Sequence, residues 1–371
     1  MTKVHVLTTR NNPNTDSFNL PLRLHRSQLK AAGIDVSLRF SVNDRLLDCD
    51  ILFLNSKYFR AWSLARRQEL IEFIGAARGK VKRVLWFDTT DSTGTTQVDV
   101  LPHVDGYYKA QVLTDRRGYL NSYYGQRIYT DYYHREFGIS DEGSSGAQVT
   151  AREEDLHKIH VSWSSALGDH GHGALSSLYR RVGTYLPLPP RYAARFTPAD
   201  VARTVDISCR VGRNHTRHTV RFQRDKLVDA LEQGYGVATD KLSKGRYWRE
   251  LRSAKIVPSP FGWGEITLRD FHTFINGAAL LKPDMSHLAT WPPLYKDGET
   301  YVSWRWDMSD IGEKIESLLS ERLYVDIARA GQETYRRYLL SSEGHAEFCD
   351  RIKGIVERHL ASSAASPSPA A

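Results

Sequence analysis

Cysteine is scarce in this chain. Cys49, Cys209 and Cys349 are spread across 371 residues, an odd and widely spaced set. It excludes a disulfide framework and a zinc site and suits the reduced thiols of a cytoplasmic protein. Long apolar runs are also missing, since no window approaches the ~20 residues a membrane span requires. After one short strand the opening residues turn polar, without the apolar core and small-residue step of a secretory signal, so secretion by that route is not expected. There is no Walker lysine loop, no GxSxG elbow, no GxGxxG fingerprint and no internal repeat. Asp169-His170-Gly171-His172 carries two histidines without a third clear ligand, and reads as loop histidines rather than a metal site. No metal and no cofactor are expected.

Basic charge is present, and unevenly distributed. Lys and Arg number 51 against 43 Asp and Glu, for a net charge of +8 with 41% apolar and 11% aromatic residues, enough to bury ordinary cores. Between Val201 and Asp270 there are fourteen basic and eight acidic residues, so this window holds +6 of the excess. Such a balance suits nucleic acid, an anionic membrane face or a phosphate-bearing small substrate.

Residues 1–185 alternate short apolar strands with helical spacing. Val4–Thr8, Ile34–Leu38, Asp50–Leu54 and Val81–Phe87 read as strands, and Ser17–Ala32 and Ser63–Ala77 as helices. This alternation predicts βαβ units and a mainly parallel sheet. A tyrosine-dense stretch, Leu101–Tyr133, suits a polar cleft or a domain interface, because each ring has an apolar body and a polar tip. Residues 140–155 read as a surface loop, and the proline-rich 186–204 segment as a stiff linker. A second α/β unit is expected over 205–320, with strands at Val205–Val211, Gly236–Thr239, Lys255–Pro258 and Ala278–Leu281. Its helices are expected at Thr219–Gln233, Tyr247–Ser253 and Glu265–Asn276. Helices follow over 321–360, and 361–371 reads as a disordered tail.

The strongest local signal is Ser259-Pro260-Phe261-Gly262-Trp263-Gly264-Glu265. Glycine and proline here force a tight turn from a strand into a helix start, where free N–H groups favour an anion. The longer segment SPFGWGEITLRDFHTFINGAALLKPD, with Trp304–Asp307 (WRWD), resembles the donor-binding half of bacterial GT-B glycosyltransferases. The pattern is similar to group 1 and exostosin-like enzymes of surface-polysaccharide or natural-product pathways. FDTTDSTGTTQVDVLPHVDGYYKAQVL and YTDYYHREFGI are similar to the acceptor half, and together these stretches span much of residues 50–310. The resemblance implies two Rossmann-like domains facing each other across a cleft, a nucleotide-sugar donor held by the C-terminal one, and no obligatory metal. It implies donor contacts at Gly262, Trp263 and Gly264, and a catalytic place for Glu265, where the motif's acidic residue approaches the donor. His272 holds the place of a second motif glutamate and is counted as a further donor-binding residue.

Other candidates come from position. Arg213, Lys241 and Lys244 lie in post-strand turns, facing the edge where ligands bind parallel sheets, and are read as diphosphate ligands. Arg221, Arg224 and Arg249 fall within helices and are read as solvated. His215 and His218, beside Arg213, are within reach of a phosphate or an acceptor. Asp91 is the candidate base for an acceptor hydroxyl, and Asp88 and Tyr107 are candidate acceptor contacts. The combined reading is a metal-independent, cytoplasmic glycosyltransferase, whose charge also suits peripheral contact with the inner face of the membrane. Its acceptor would be a glycan, a lipid-linked glycan or a small molecule, and nucleic acid is not an expected partner. The alternatives are a binding-only relative, an epimerase-like nucleotide-sugar enzyme, and a nucleic-acid-binding protein.

Overall fold

The computed structural model describes residues 1–10, 12–60, 66–143, 148–172 and 191–361. Part of the expected 140–155 loop, the start of the Ser63–Ala77 helix, the proline-rich opening of the linker and all of the tail beyond Ala361 lie outside the described residues.

The N-terminal half is built on a six-stranded, wholly parallel sheet. Its strands are β1 (Thr2–Leu7), β2 (Ile34–Arg39), β3 (Ile51–Asn55), β4 (Arg83–Asp88), β5 (Gly106–Lys109) and β7 (Ile159–Val161), in the order β2-β1-β3-β4-β5-β7. Alternate residues feed two cores. Phe53, Phe87 and Tyr108 pack on one face, and Leu52, Leu54, Trp86 and Tyr107 on the other, as expected for a parallel sheet covered on both sides. The first helix is split into α1 (Pro13–Leu24) and α2 (Arg26–Ala31), with His25 between them. Pro21 lies inside α1 without ending it: it forgoes only its own N–H bond to the preceding turn, and its carbonyl accepts from His25 N at 3.0 Å. The helix after β3 is α3 (Arg67–Arg78), and α4 (Ile128–Phe137) lies in the tyrosine-rich stretch.

A second parallel sheet, ordered β12-β10-β9-β8, comprises β8 (Val205–Ile207), β9 (Ala254–Pro258), β10 (Ala279–Pro283) and β12 (Val302–Trp304). Its helices are α5 (His218–Tyr235), α6 (Lys244–Ser253) and α7 (Leu268–Ile275). The expected strand at Gly236–Thr239 is absent, because Gly236 takes a left-handed C-cap conformation and the following residues run without regular structure. The expected helix at Glu265 starts later. Thr267 is its N-cap, in a reciprocal capping box with Asp270, which leaves Glu265 in the loop ahead of the helix.

The two halves share a core and are tied by three crossings. Phe261, Phe271, Phe274 and Tyr335 belong to the same cluster as Phe53 and Phe87. Strand β6 (Gln111–Leu113) pairs antiparallel with β11 (Leu288–Thr290) from the other half. After α8 (Ile311–Ser320) and α9 (Tyr324–Leu340), the last helix, α10 (Ser342–Ala361), returns to the first sheet. There the Arg351 guanidinium donates to the carbonyls of Val161 and Ser162, and Arg83 Nε donates to the carbonyl of His359. The tyrosine stretch is an interface as well: Tyr129 OH donates to the Gly262 carbonyl and Tyr133 OH to the Trp306 carbonyl.

The docking of α10 carries an acid sensitivity. His359 Nε2 lies 2.8 Å from Tyr108 OH and its ring is near that of His160. Burial, with the nearby Arg358, pushes both histidines down from 6.5 to about 4. The unfolded chain takes up these protons first, so the contribution is complete above pH 6.5 and is lost as pH falls towards 4. Tm should therefore drop between pH 7 and 5, and the drop should be shallower for His359→Gln, as differential scanning calorimetry across that range would show.

Candidate active site

Loops from the carboxyl ends of both sheets enclose one cleft of about 280 Å³, near the lower bound of typical small-molecule sites, roughly 300 Å³. The N-terminal wall comprises Asn14 and Phe18 of α1, Thr89–Asp91 after β4, Ala110–Gln111 after β5 and Trp163–Ser165 after β7. The opposite wall comprises His215, Arg224 and the loop and cap at Gly262–Gly264 and Ile266–Leu268. Open α/β sheets bind ligands at this edge.

Among the described residues that line the cleft, Asp91 is the only carboxylate. It is exposed, and its Oδ1 accepts from Asn14 Nδ2 at 2.5 Å. Its backbone carbonyl accepts from Gln111 Nε2. This exposed carboxylate is free to accept a proton from a bound hydroxyl.

Facing it is Arg224, only 8% exposed. Its Nε donates to the Phe261 carbonyl and its Nη1 to the Gly212 carbonyl, each at 2.9 Å. Both partners are neutral, and no carboxylate among the described residues pairs with it. Burial, with repulsion from Arg269, pushes its pKa down to about 10, so it is charged at neutral pH. A buried cation held only by carbonyls is incompletely compensated, and an anion entering the cleft would complete it. Its place within a helix predicts a solvated side chain, and the structure corrects this: Arg224 is buried. The signal was present in the spacing: Val220, Arg224, Leu227 and Leu231 share one buried face of α5.

Trp263, 41% exposed, forms the rim of the cleft. Arg127 lies over its ring at 5.4 Å and donates to its carbonyl, and the edge of His215 approaches at 5.4 Å. Burial, and then Arg224, lower the His215 pKa to about 4.

The remaining candidates sit elsewhere. Asp88 is fully buried: the register of β4 and β5 sets it beside Lys109, whose Nζ lies 3.1 Å away, and Tyr107 OH donates to it at 2.5 Å. Neither Asp88 nor Tyr107 reaches the cleft. They brace its floor, with Asp88 accepting from Thr90 N and Lys109 bonding the Thr90 hydroxyl. Arg213 turns outward to Asp225 and Asp229. Lys241 and Lys244 are exposed and do not line the cleft. His272 packs against Tyr247 and Trp248 rather than the cleft. Of the expected donor contacts, Gly262, Trp263 and Gly264 line the cleft and Glu265 does not.

Glu265 is fully buried and reaches into the N-terminal half. It accepts from Ser92 Oγ at 3.0 Å, Thr93 N at 3.1 Å and Thr93 Oγ1 at 2.5 Å. His287 Nε2 stands 3.7 Å away, an ion-pair separation rather than a hydrogen bond. Burial works to raise its pKa, but the pairing with His287 and the Thr93 donors outweigh it and hold the carboxyl at about 2.

In the basic window Arg210 pairs with Glu250, Arg221 with Asp225 and Lys255 with Asp206, and the window keeps its excess of basic residues. The loop histidines are drawn apart, His170 stacking on Phe271 and His172 on Trp248. Among the described residues no group of three or more His, Cys, Asp or Glu is placed to hold a metal ion, and no helix is long and apolar enough to cross a membrane.

No family model matches this chain, and no curated protein matches it either. Among solved structures, it is similar to Anabaena HepE in complex with UDP, at 8% identity and a TM-score of 0.45 over 95% of this chain and 100% of that one. It is also similar to a glycosyltransferase from Rickettsia africae, at 9% identity and a TM-score of 0.42 over 97% and 98% of the two chains. A third is the pneumococcal O-GlcNAc transferase GtfA with UDP and GlcNAc, at 11% identity and a TM-score of 0.41, over 90% of this chain and 59% of that one. At these identities no side chain is carried across.

Proposed function

We propose that this chain is a glycosyltransferase of the GT-B type, moving a sugar from a nucleotide-activated donor to a hydroxyl group without a metal. The observation that carries this reading is the pairing, across one cleft, of a buried and unneutralised cation, Arg224, with a single exposed carboxylate, Asp91. The donor diphosphate would lie against Arg224 and the Gly262–Gly264 loop, with Trp263 available to stack on a ring. As the acceptor oxygen bonds to the anomeric carbon, the bond from that carbon to the phosphate oxygen breaks. The electron pair leaves with the diphosphate, facing Arg224, and the hydroxyl proton passes to Asp91. Charge that develops in a dry cleft is stabilised most strongly by a cation already in position. The acceptor class is a glycan, a lipid-linked glycan or a small hydroxylated molecule. We place the reaction in the cytoplasm, with the net charge of +8 suited to the inner face of a membrane.

Release of nucleoside diphosphate from a panel of nucleotide sugars, with mixed glycan and lipid acceptors and EDTA present, tests the reading. Acceptor-dependent release is expected, and its absence across the panel would defeat it. A second expectation concerns pH. A diphosphate beside His215 favours the imidazolium, so its pKa rises from about 4 on binding and a proton is taken up. Nucleotide affinity should strengthen as pH falls from 8 to 5. His215→Asn should retain only the nucleotide's own titration, as isothermal titration calorimetry in two buffers of different ionisation enthalpy would reveal.

A further inference from the structure

Asp91 lies in a segment without regular structure; Asn14 and Gln111 of its own half donate to its side chain and its carbonyl, and the supports of the residues around it come from two sources. Thr90 and Thr95 are held from within the N-terminal half, through Asp88 to Thr90 N and through Lys109 Nζ to Thr90 Oγ1 and the Thr95 carbonyl. Ser92 and Thr93, between them, are held across the domain boundary by Glu265, which accepts both of their hydroxyls and the Thr93 N–H. The neighbouring residue adds a second constraint. A Cβ on Gly264 would stand 1.7 Å from the Asp91 carbonyl oxygen, so the two backbones meet as closely as glycine permits.

We infer that Glu265 is a positioning residue that steadies the Asp91 loop from the opposite half, completing the hold that Asn14 and Gln111 give from its own half, so that the base is in full register when the two halves are together. The inference rests on the glycosyl-transfer reading for its consequence, and on the geometry for its substance. Three donors converge on one side chain, and an ionised carboxylate, with no donor of its own, satisfies all three. Glutamine would turn an N–H towards groups that already donate. Glu265 is buried, fully engaged and outside the cleft lining, so it acts through the Asp91 loop rather than on the substrate. The arrangement makes catalysis conditional on closure, which limits attack by water on a donor bound to an open protein.

The test has two arms on the full chain. Amide hydrogen exchange of the 91–95 segment, without any ligand, should quicken in Glu265→Gln and in Thr93→Val while β4 and β5 stay protected. Unchanged exchange in both variants would overturn the inference whatever the protein's activity. In the second arm, with a donor that the wild type turns over, Glu265→Gln should lower kcat by about 100-fold, the size of effect a displacement of about 1 Å produces. KM for the nucleotide sugar should stay within about twofold. Thr93→Val should act in the same direction, and the double variant should lose little more than the worse single one. Additive losses, or a loss confined to Glu265→Gln, would mean that the carboxylate acts on the substrate directly, contradicting the positioning role. If the exchange arm succeeds and the wild type turns over no nucleotide sugar, the proposed reaction fails and the structural role of Glu265 stands.

Discussion

Asp91→Asn should reduce sugar transfer by about 10²- to 10⁴-fold, the usual contribution of a positioned general base, while nucleotide binding is unchanged. The two effects separate because the residue occupies the N-terminal wall and the diphosphate is assigned to the opposite one. Asparagine keeps the size of the side chain and can still meet Asn14 through its amide, so the loop should hold its shape. What is lost is the capacity to take a proton. Single-turnover rates measured beside nucleotide titrations would resolve this. Weakened nucleotide binding with an unchanged chemical step would reverse the assignment of the two walls.

The second large effect is expected at Gly264→Ala. The new methyl would lie 1.7 Å from the Asp91 carbonyl oxygen and 2.4 Å from its carbonyl carbon, both backbone atoms that no rotamer change can move. Relief requires the Asp91 loop to shift or the two halves to part, and either displaces the base. A loss of about 1–3 kcal/mol or more of stability is expected from such overpacking, together with a fall in transfer comparable to that of Asp91→Asn. Gly262→Ala is the instructive contrast. Its methyl would meet the end of the Arg224 side chain at 3.1 Å, so its effect should fall on nucleotide affinity more than on stability. Thermal unfolding and binding measured for the pair separate the two glycines. Equal Tm values for Gly264→Ala and wild type would contradict the close approach of the halves.

Much of the architecture was legible in the sequence, because parallel strands buried on both faces announce themselves as short apolar runs between helical spacings. β3, β4, β9 and β10 were found in this way, as was the helical C-terminal stretch. The tight loop at Phe261–Glu265 was equally visible, because only glycine-rich turns link a strand and a helix so closely. What escaped was whatever depended on the direction of a side chain. Asp88 and Asp91 stand three residues apart in one acidic turn, yet the register beside Lys109 buries the first and leaves the second in the cleft. Arg213 occupied a promising post-strand turn, but two acids on α5 capture it. A helical arginine usually faces water, yet the spacing of Arg224 from Val220 and Leu227 puts it on the apolar face. Glu265 was associated with the donor through the motif around it, and its true partners, Ser92 and Thr93, lie more than 170 residues earlier. No local pattern encodes a contact of that range.

The central claim is that Arg224 holds the diphosphate of a nucleotide donor, and a thermal-shift panel of UDP, GDP, ADP, CMP and dTDP in EDTA tests it directly on wild type and Arg224→Met. One nucleotide at about 100 times its dissociation constant should stabilise the wild type by roughly 2.7 kcal/mol. The variant should lose most of that shift, since truncating a buried charged partner costs about 2–5 kcal/mol of binding. A panel in which no nucleotide stabilises the wild type, or in which Arg224→Met keeps the full shift, would contradict the account.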